Sequence, residues 1–543
     1  MKIVSGDKMS QIDRDSMDKY GIPGLVLMEN AGLQAADAIL KLRPRKEEIK
    51  IVVFCGRGNN GGDGFVISRH LQRLGYHVET WALGTLSSYK GDAAVNYDIF
   101  TKIGGHIFQV TESDPAGVLK ELSSEDLIVD ALLGTGLKNL VAEPFAGVIR
   151  AINQSRAEVL AVDIPSGVSA ETGEILGEAV KADYTVTFAL PKRGLLLFPG
   201  ADLAGEVIIA DIGIPVELTD SPQIRENLVV GDDINSELPL RVADSHKGTY
   251  GRVLILAGSP GMTGAAALAG EAALRGGAGL VYLGSSIQLR TVLEAKLREV
   301  IFRGFPGDDF GNLAPSGAGE ILKCAEKCQA LAFGPGLDPG SGTLELLKII
   351  LAGITLPVVI DAGGLGALAS DPNVIKQTKA PLILTPHPGE MTRLLGTGAS
   401  ITQRDRWEIA AEKAREWGCI VVLKGAHTVT ALPNGEVFIN PTGNAVLATA
   451  GSGDVLTGMI TGLLAQGISP KWAALCGVYL HGLAGDLLAA QSGGRGHLAG
   501  DILSLIPIAF NNLGTQGISV SQLNKDLADS NGIMTPYLAS GAN

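Results

Sequence analysis

Residues 51–64 read IVVFCGRGNNGGDG. Ile51–Cys55 is a short apolar run closed by a glycine loop, the pattern of a strand buried on both faces of a parallel sheet. The loop from Gly56 to Gly64 has five glycines in nine residues. With so few side chains, its backbone N–H groups can approach an anion, and the helix read over 64–74 adds its positive N-terminal end. Phe65, Ile67, His70, Leu71 and Leu74 lie on or near one face of that helix. The loop is neither G-x-G-x-x-G nor a Walker loop, because no Lys-Ser/Thr pair ends it. A tight glycine turn would explain the glycines alone. Asn59, Asn60 and Asp63 add carboxamide and carboxylate groups that suit a cation or a ribose.

Working outward, further strand-like runs cover 77–83, 126–132, 158–164, 184–189 and 207–210. The alternation with helical spacing predicts βαβ units and a parallel sheet. Over 213–245 the pattern lapses into a polar, proline-containing stretch that reads as an interdomain crossover. A second series runs through 252–257, 280–283, 330–333, 358–360, 382–384 and 420–423, then turns helical over 453–466, 471–491 and 501–512. The expected organisation is a domain over 1–222, a second over 228–512 and a tail over 513–543.

Composition narrows the class. Glycine supplies 72 of 543 residues, about twice the usual share, but with no three-residue period, so a fibrous chain is excluded. With 44 basic and 57 acidic residues the net charge is −13, which disfavours nucleic acid as a partner. Five cysteines in this length are no disulfide framework. Cys324 and Cys328 could share a helix face, yet two thiols without further partners read as core residues and not as a zinc site. The N-terminus has no apolar signal core and no run of 18 apolar residues occurs, so the expectation is a cytoplasmic chain without a membrane span.

Several strand ends carry chemistry. Asp130 follows one strand and leads into Leu132-Leu133-Gly134-Thr135-Gly136-Leu137; Asp163 follows another and leads into Ile164-Pro165-Ser166-Gly167. In a doubly wound sheet such ends line one crevice, facing the glycine loop. A single strand-end Asp is more often a cap or turn residue, but three such loops in one domain favour a site. In the second half, Lys424-Gly425-Ala426-His427-Thr428 follows a strand. Ala450-Gly451-Ser452-Gly453-Asp454 opens a helix, where small residues make an anion hole and the Asp reads as a general base beside a phosphate. Thr385-Pro386-His387-Pro388-Gly389-Glu390 fixes His387 in a loop, and Ser245-His246-Lys247-Gly248 precedes the first strand of this half.

Together these motifs resemble two families. MENAG (28–32), GRGNNGGDG (56–64), DALLGTGL (130–137) and DIPSG (163–167) are similar to the NAD(P)H-hydrate epimerases. SHKGTYGRVLILAGS (245–259), TGAA (263–266), GPGL (334–337), TPHPGE (385–390), KGAHT (424–428) and AGSGD (450–454) are similar to the ADP- or ATP-dependent NAD(P)H-hydrate dehydratases. In this order they resemble the bifunctional NAD(P)H-hydrate repair enzymes, over nearly the whole chain. The resemblance implies an α/β protein of two three-layer α/β/α domains, the first Rossmann-like and the second ribokinase-like.

The resemblance also implies the work of each domain. The first would interconvert the R and S forms of hydrated NADH and NADPH. The second would dehydrate the S form at the expense of ADP, giving AMP and phosphate. Asn59, Asn60, Gly61, Gly62, Asp63, Gly134, Thr135, Gly136, Leu137, Lys138, Asn139, Leu140 and Asp163 would bind the hydrate, with Asp163 as acid/base. Asn60, Asp130 and Ser166 would bind K+, a hard cation suited to oxygen donors. In the second domain Ala265, Gly336, His387 and Asp454 would contact the hydrate, with Asp454 as base. Lys424, Gly425, Ala426, His427, Thr428, Gly451, Ser452 and Gly453 would hold the nucleotide, and Mg2+ would neutralise its charge. Arg57, Lys138, Lys247 and Lys424 would attract the anionic substrates, and a homo-oligomer of four or more chains is expected. Two positions depart from the family pattern. Ala450 stands where ribokinase-like enzymes often have glycine, and Asp361-Ala362-Gly363-Gly364-Leu365 lacks the second Asp of the usual DADAL. The alternative reading is a ribokinase-like small-molecule kinase fused to a dinucleotide-binding module.

Overall fold

In the computed structural model, which describes residues 1–44, 49–110, 115–396, 398, 401 and 405–513, the chain divides into two compact units, one up to Ile224 and one from Arg225. The tail expected from 513 lies outside the described residues, apart from Leu513.

The first unit has a seven-stranded, all-parallel sheet: β1 Lys50–Cys55, β2 His77–Ala82, β3 Ile107–Gln109, β4 Leu127–Ala131, β5 Glu158–Val162, β6 Tyr184–Phe188 and β7 Glu206–Ala210, in the order β3-β2-β1-β4-β5-β6-β7. Along β1 the side chains alternate between two cores. Ile51, Val53 and Cys55 pack in one with Ala35, Ile39, Phe65 and Leu71, while Val52 and Phe54 pack in the other with Val148 and Ile152. Burial on both faces is why the run reads as continuous apolar sequence. The strand order reverses between β1 and β4, the switch point where a crevice opens at the carboxyl ends.

The second unit has a ten-stranded mixed sheet: β8 Glu226–Leu228, β9 Arg252–Leu256, β10 Leu280–Ser286, β11 Ile301–Phe305, β12 Ala330–Phe333, β13 Val358–Ile360, β14 Leu382–Leu384, β15 Ile420–Leu423, β16 Val429–Ala431 and β17 Val437–Ile439. The order is β11-β10-β9-β12-β13-β14-β15-β16-β17-β8. β16 runs antiparallel to both its neighbours, and the other pairs are parallel. Here the switch point falls between β9 and β12. Helix Pro470–Ser492 is long and apolar enough to cross a membrane, but 83% of its most apolar window is buried within this unit. It is a core helix, in keeping with the helix read over 471–491.

Two sequence expectations are corrected. The helix after β1 begins at Asn59, not Gly64, so Asn59, Asn60 and Asp63 sit in its first turns. The stretch 213–245 is more than a crossover. It holds β8, which pairs with β17, and helix Gly231–Glu237, whose Ile234 joins the second unit's core. Glu226-Asn227-Leu228 has two polar residues and so offers no apolar run to read.

Candidate active sites

A cavity of about 580 Å3 opens at the first switch point. The loops after β1 and β4 meet so closely that a Cβ at Gly56 would lie 1.7 Å from the Leu132 carbonyl oxygen. Only glycine permits that approach. Asn59, Asn60, Asp63, Gly134, Thr135, Gly136, Leu137, Lys138, Asn139 and Asp163 all line the cavity. Gly61 and Gly62 stand behind the lining, against Gly56 and Met28, and Leu140 is 74% exposed outside it. Arg57, another lining residue, donates from Nε to the Leu83 carbonyl at 2.7 Å. Lys138 pairs with Asp7 at 2.8 Å on the surface.

Asp163 ends β5 at φ +68°, a left-handed conformation uncommon outside glycine and strained at functional sites. Its carboxylate is ion-paired with Lys192, whose side chain is 1% exposed. The Lys192 ammonium also donates to Thr187 Oγ1 at 3.1 Å and the Phe188 carbonyl at 2.9 Å. Lys192 is held from the N-terminus, where the Val4 N–H donates to the Pro191 carbonyl at 3.0 Å and the Val4 carbonyl accepts from the Arg193 N–H at 2.9 Å. Ser5 then caps helix Gly6–Tyr20, accepting from the Lys8 N–H. This helix brings Asp13 to the cavity wall. Burial pushes the Asp13 carboxyl up to about 6, with Lys192 opposing and Asp163 adding to the rise. Burial likewise raises Asp63 well above the carboxylate range.

Behind this wall Asp130 is fully buried. It accepts from Ser166 Oγ at 2.6 Å, the Ser166 N–H at 2.8 Å and the Leu132 N–H at 3.2 Å. Burial still lifts its carboxyl to about 6. Asn60 Nδ2, an amide donor and no cation ligand, is buried without a hydrogen-bond partner; the opposite amide orientation would present its oxygen there. With that orientation, the buried Asp130 carboxylate, which has no cationic partner among its hydrogen bonds, the Ser166 hydroxyl and the Asn60 oxygen would suit a monovalent hard cation.

In the second unit the loops after β12, β13, β14 and β15 converge on the start of helix Ser452–Ala465. Gly451 caps that helix at φ +92°, where a Cβ would meet Leu268 Cδ1 at 2.6 Å. Asp454 lies in the first turn. Burial pushes its carboxyl up to about 7, with Asp361 and Glu390 adding and Lys424 opposing. Asp361, 1% exposed at the end of β13, accepts from Lys424 Nζ at 2.8 Å and Thr457 Oγ1 at 2.8 Å. A Cβ at Gly453 would stand 3.1 Å from Lys424 Nζ, so the lysine side chain faces the helix N-terminus. Of the amides expected to form the anion hole, the Ser452 N–H is already turned to the Thr449 carbonyl at 3.3 Å.

The remaining expected residues have visible supports. His387 caps helix Pro388–Leu394: its Nδ1 accepts from the Gly389 N–H at 3.0 Å, and Glu390 returns a bond to the His387 N–H at 2.8 Å. The Lys424 N–H donates to the Pro386 carbonyl at 2.8 Å, tying the two loops together. A Cβ at Gly336 would lie 3.1 Å from Ala265 Cβ, so these two residues share one wall. Gly425, Ala426 and His427 wrap the buried Arg406, whose guanidinium donates to the Ala426 carbonyl at 2.7 Å and the Leu423 carbonyl at 2.9 Å. Thr428 Oγ1 closes the loop onto the Gly425 carbonyl at 2.9 Å.

Sequence reasoning missed Asp13, Lys192, Arg406, Glu390 and His481 as parts of these sites, and it treated Asp361 only as a departure. His481 is buried, is pushed down to about 4 by burial, and lies 3.2 Å from Ser452 Oγ. The one signal available for Asp361 was its place at a strand end.

Two family models match the chain: NAD(P)H-hydrate dehydratase over residues 253–508 and YjeF-related protein N-terminus over residues 24–194. The bifunctional NAD(P)H-hydrate repair enzyme Nnr of Moorella thermoacetica is 45% identical over 515 residues, covering 94% of this chain and 97% of that protein. The enzyme of the same name from Thermofilum pendens is 38% identical over 513 residues, covering 94% and 97%. Among solved structures, the ADP/ATP-dependent NAD(P)H-hydrate dehydratase of Bacillus subtilis, co-crystallised with ATP and Mg2+, is 35% identical. It covers 53% of this chain and 98% of that one, with a TM-score of 0.46.

Proposed function

The chain belongs to the bifunctional NAD(P)H-hydrate repair enzymes, and on that premise we propose how its residues divide the work. The protein is an NAD(P)H-hydrate epimerase and an ADP/ATP-dependent NAD(P)H-hydrate dehydratase, a metabolite-repair enzyme. In our reading the first unit's cavity takes the R or S hydrate and interconverts them, with Asp163 moving protons at the hydroxyl-bearing carbon. The second unit takes the S hydrate and a nucleotide, with ADP as the preferred phosphoryl donor and AMP as product.

In the second site Asp454 removes the ring hydroxyl's proton as that oxygen attacks the terminal phosphorus. A base near pH 7 is matched to the task, and a carboxyl at about 7 beside a helix N-terminus is the observation that carries this assignment. The helix start stabilises charge on the transferring phosphoryl group. Lys424 Nζ faces the same point, and Gly425 to Thr428 form the loop against which the nucleotide lies. The phosphorylated hydroxyl then leaves as phosphate with the carbon–oxygen pair, the neighbouring β-carbon loses a proton to solvent, and that carbon–hydrogen pair restores the ring's double bond. Among the described residues no group of three His, Cys, Asp or Glu could hold a metal by itself. This suits Mg2+, which would arrive with the nucleotide phosphates and neutralise their charge. Asp130, Ser166 and Asn60 would hold K+ and so shape the loops after β1 and β4.

Two further parts of the reading are a homo-oligomer of four or more chains, tested by light scattering, and a cytoplasmic site of action, in keeping with five free thiols. The function is tested by supplying purified R and S hydrates of NADH with ADP or ATP. NADH absorbance is expected to return at once from S and after a lag from R. A chain that instead phosphorylates a pyrimidine or sugar alcohol and returns no NADH is a kinase.

A further inference from the structure

Water adds to the enamine of a dihydronicotinamide with its proton on the β-carbon and its hydroxyl on the carbon beside the ring nitrogen, where the nitrogen lone pair stabilises positive charge. The hydrate is therefore a hemiaminal, and inverting its hydroxyl-bearing carbon is a matter of opening and reclosing that ring. Opening has two proton tasks at once: a base for the hydroxyl and an acid for the departing nitrogen. Two separate groups, one accepting and one donating, can serve both at once.

The first unit's cavity holds two aspartates in different settings. Asp163 is fixed against the Lys192 ammonium, whose other donors are taken up by Thr187 and the Phe188 carbonyl. Asp13 comes from a different element, helix Gly6–Tyr20, and lines the same cavity from the third turn of that helix. The N-terminal segment that bonds to the Lys192 loop leads directly into this helix, so both groups are positioned by one piece of chain. We propose that Asp13 is the second acid–base residue of the epimerase site, working with Asp163, with Lys192 as the positioning residue that holds the Asp163 carboxyl in place. This inference rests on the epimerase reading above.

The step balances without any further reactant. Asp163 takes the hydroxyl proton, the oxygen's electron pair forms the carbonyl, and the carbon–nitrogen bond breaks with its pair going to nitrogen. Asp13 gives its proton to that nitrogen. Rotation about the adjacent carbon–carbon bond turns the other carbonyl face to the nitrogen. The nitrogen then attacks, Asp13 recovers its proton, and Asp163 returns its own to the oxygen.

The charged groups acting on Asp13 are Lys192 and Asp163, which line the same cavity, and Arg14 on its own helix; Asp63 on helix Asn59–Arg73 is in turn raised in part by Asp13. Burial brings the Asp13 carboxyl up to about 6. As an acid it works while protonated, so R–S exchange falls as pH rises through that region.

The experiment follows exchange of the two hydrates by chromatography with the full-length protein and no nucleotide, which keeps the second unit silent. Asp13→Asn is expected to slow exchange about 100-fold and to lose the alkaline fall in rate, while Asp13→Glu restores part of it. Dehydration of S hydrate with ADP stays at the wild-type rate in both. Exchange at the wild-type rate in Asp13→Asn overturns the inference, as does slower exchange with the wild-type pH profile kept. The unmodified protein gives an independent check that needs no variant: exchange that is flat between about pH 5 and 8 overturns it too. A wild-type chain that exchanges nothing overturns the epimerase reading itself.

Discussion

The two units solve one electrostatic problem with different surroundings. In the first, Lys192 pairs with strand-end Asp163 and a second aspartate, Asp13, is raised to about 6. In the second, Lys424 pairs with strand-end Asp361 at 2.8 Å and Asp454 is raised to about 7. Both keep a lysine and a carboxylate together under a loop, and both leave another carboxyl poised near neutrality. The difference is where that other carboxyl stands. Asp13 sits well inside its own helix, Gly6–Tyr20, whereas Asp454 is the third residue of helix Ser452–Ala465. Asp454 therefore stands at the start of its own helix, where a phosphoryl group is attracted; Asp13 does not. The comparison separates an isomerase site from a phosphoryl-transfer site without reference to overall fold.

The largest effects should break one side and spare the other. Asp454→Asn is expected to cut S-hydrate dehydration about 10²–10⁴-fold while nucleotide binding, read by calorimetry, and R–S exchange remain. Asp163→Asn is the mirror experiment. It should abolish conversion of the R hydrate and leave ADP-driven dehydration of S untouched; R conversion at the wild-type rate would remove Asp163 from the mechanism.

Next in size is the pH dependence of the second site. Asp454 works as a base and must be ionised, so dehydration should rise with pH to a plateau above about 7. Lys424 is one of the groups that lower the Asp454 carboxyl. Lys424→Met should therefore shift the rising limb to higher pH by about one unit, visible as a tenfold loss on the acid side that shrinks at alkaline pH. The smallest expected effect is on stability. Gly451→Ala puts a side chain at φ +92° and against Leu268. It should cost about 1–2 kcal/mol in denaturant melts of the second unit and slow dehydration, with R–S exchange unchanged.

How much was readable beforehand follows the same division. Loops and helix starts announce themselves locally: glycine runs after apolar strands located the cavity, and three small residues before an Asp located the second site's helix. Most parallel strands were readable for the same reason, since burial on both faces leaves an unbroken apolar run; β3 and β11, which are not buried on both faces, were not read. Side chains that act through tertiary contact left no such trace. Lys192 lies in a Pro-Lys-Arg-Gly stretch that resembles a solvated loop, and Asp13 is one of several acidic residues in a polar helix. Their neighbourhood exists only once the N-terminal segment lies beside residues 191–193. Asp361 was visible but undervalued, because its partners Lys424 and Thr457 come from β15's loop and helix Ser452–Ala465. The short strands β8, β16 and β17 were not read either, although β13 and β14, which were, are just as short.

The central claim is that two separate sites act in series on one hydrate. It is tested most directly by giving pure R hydrate and ADP to the Asp454→Asn protein and separating R hydrate, S hydrate and NADH over time. The account predicts that S hydrate accumulates to equilibrium with R and that no NADH forms. NADH appearing at the wild-type rate, or R hydrate persisting with no S formed, would contradict it.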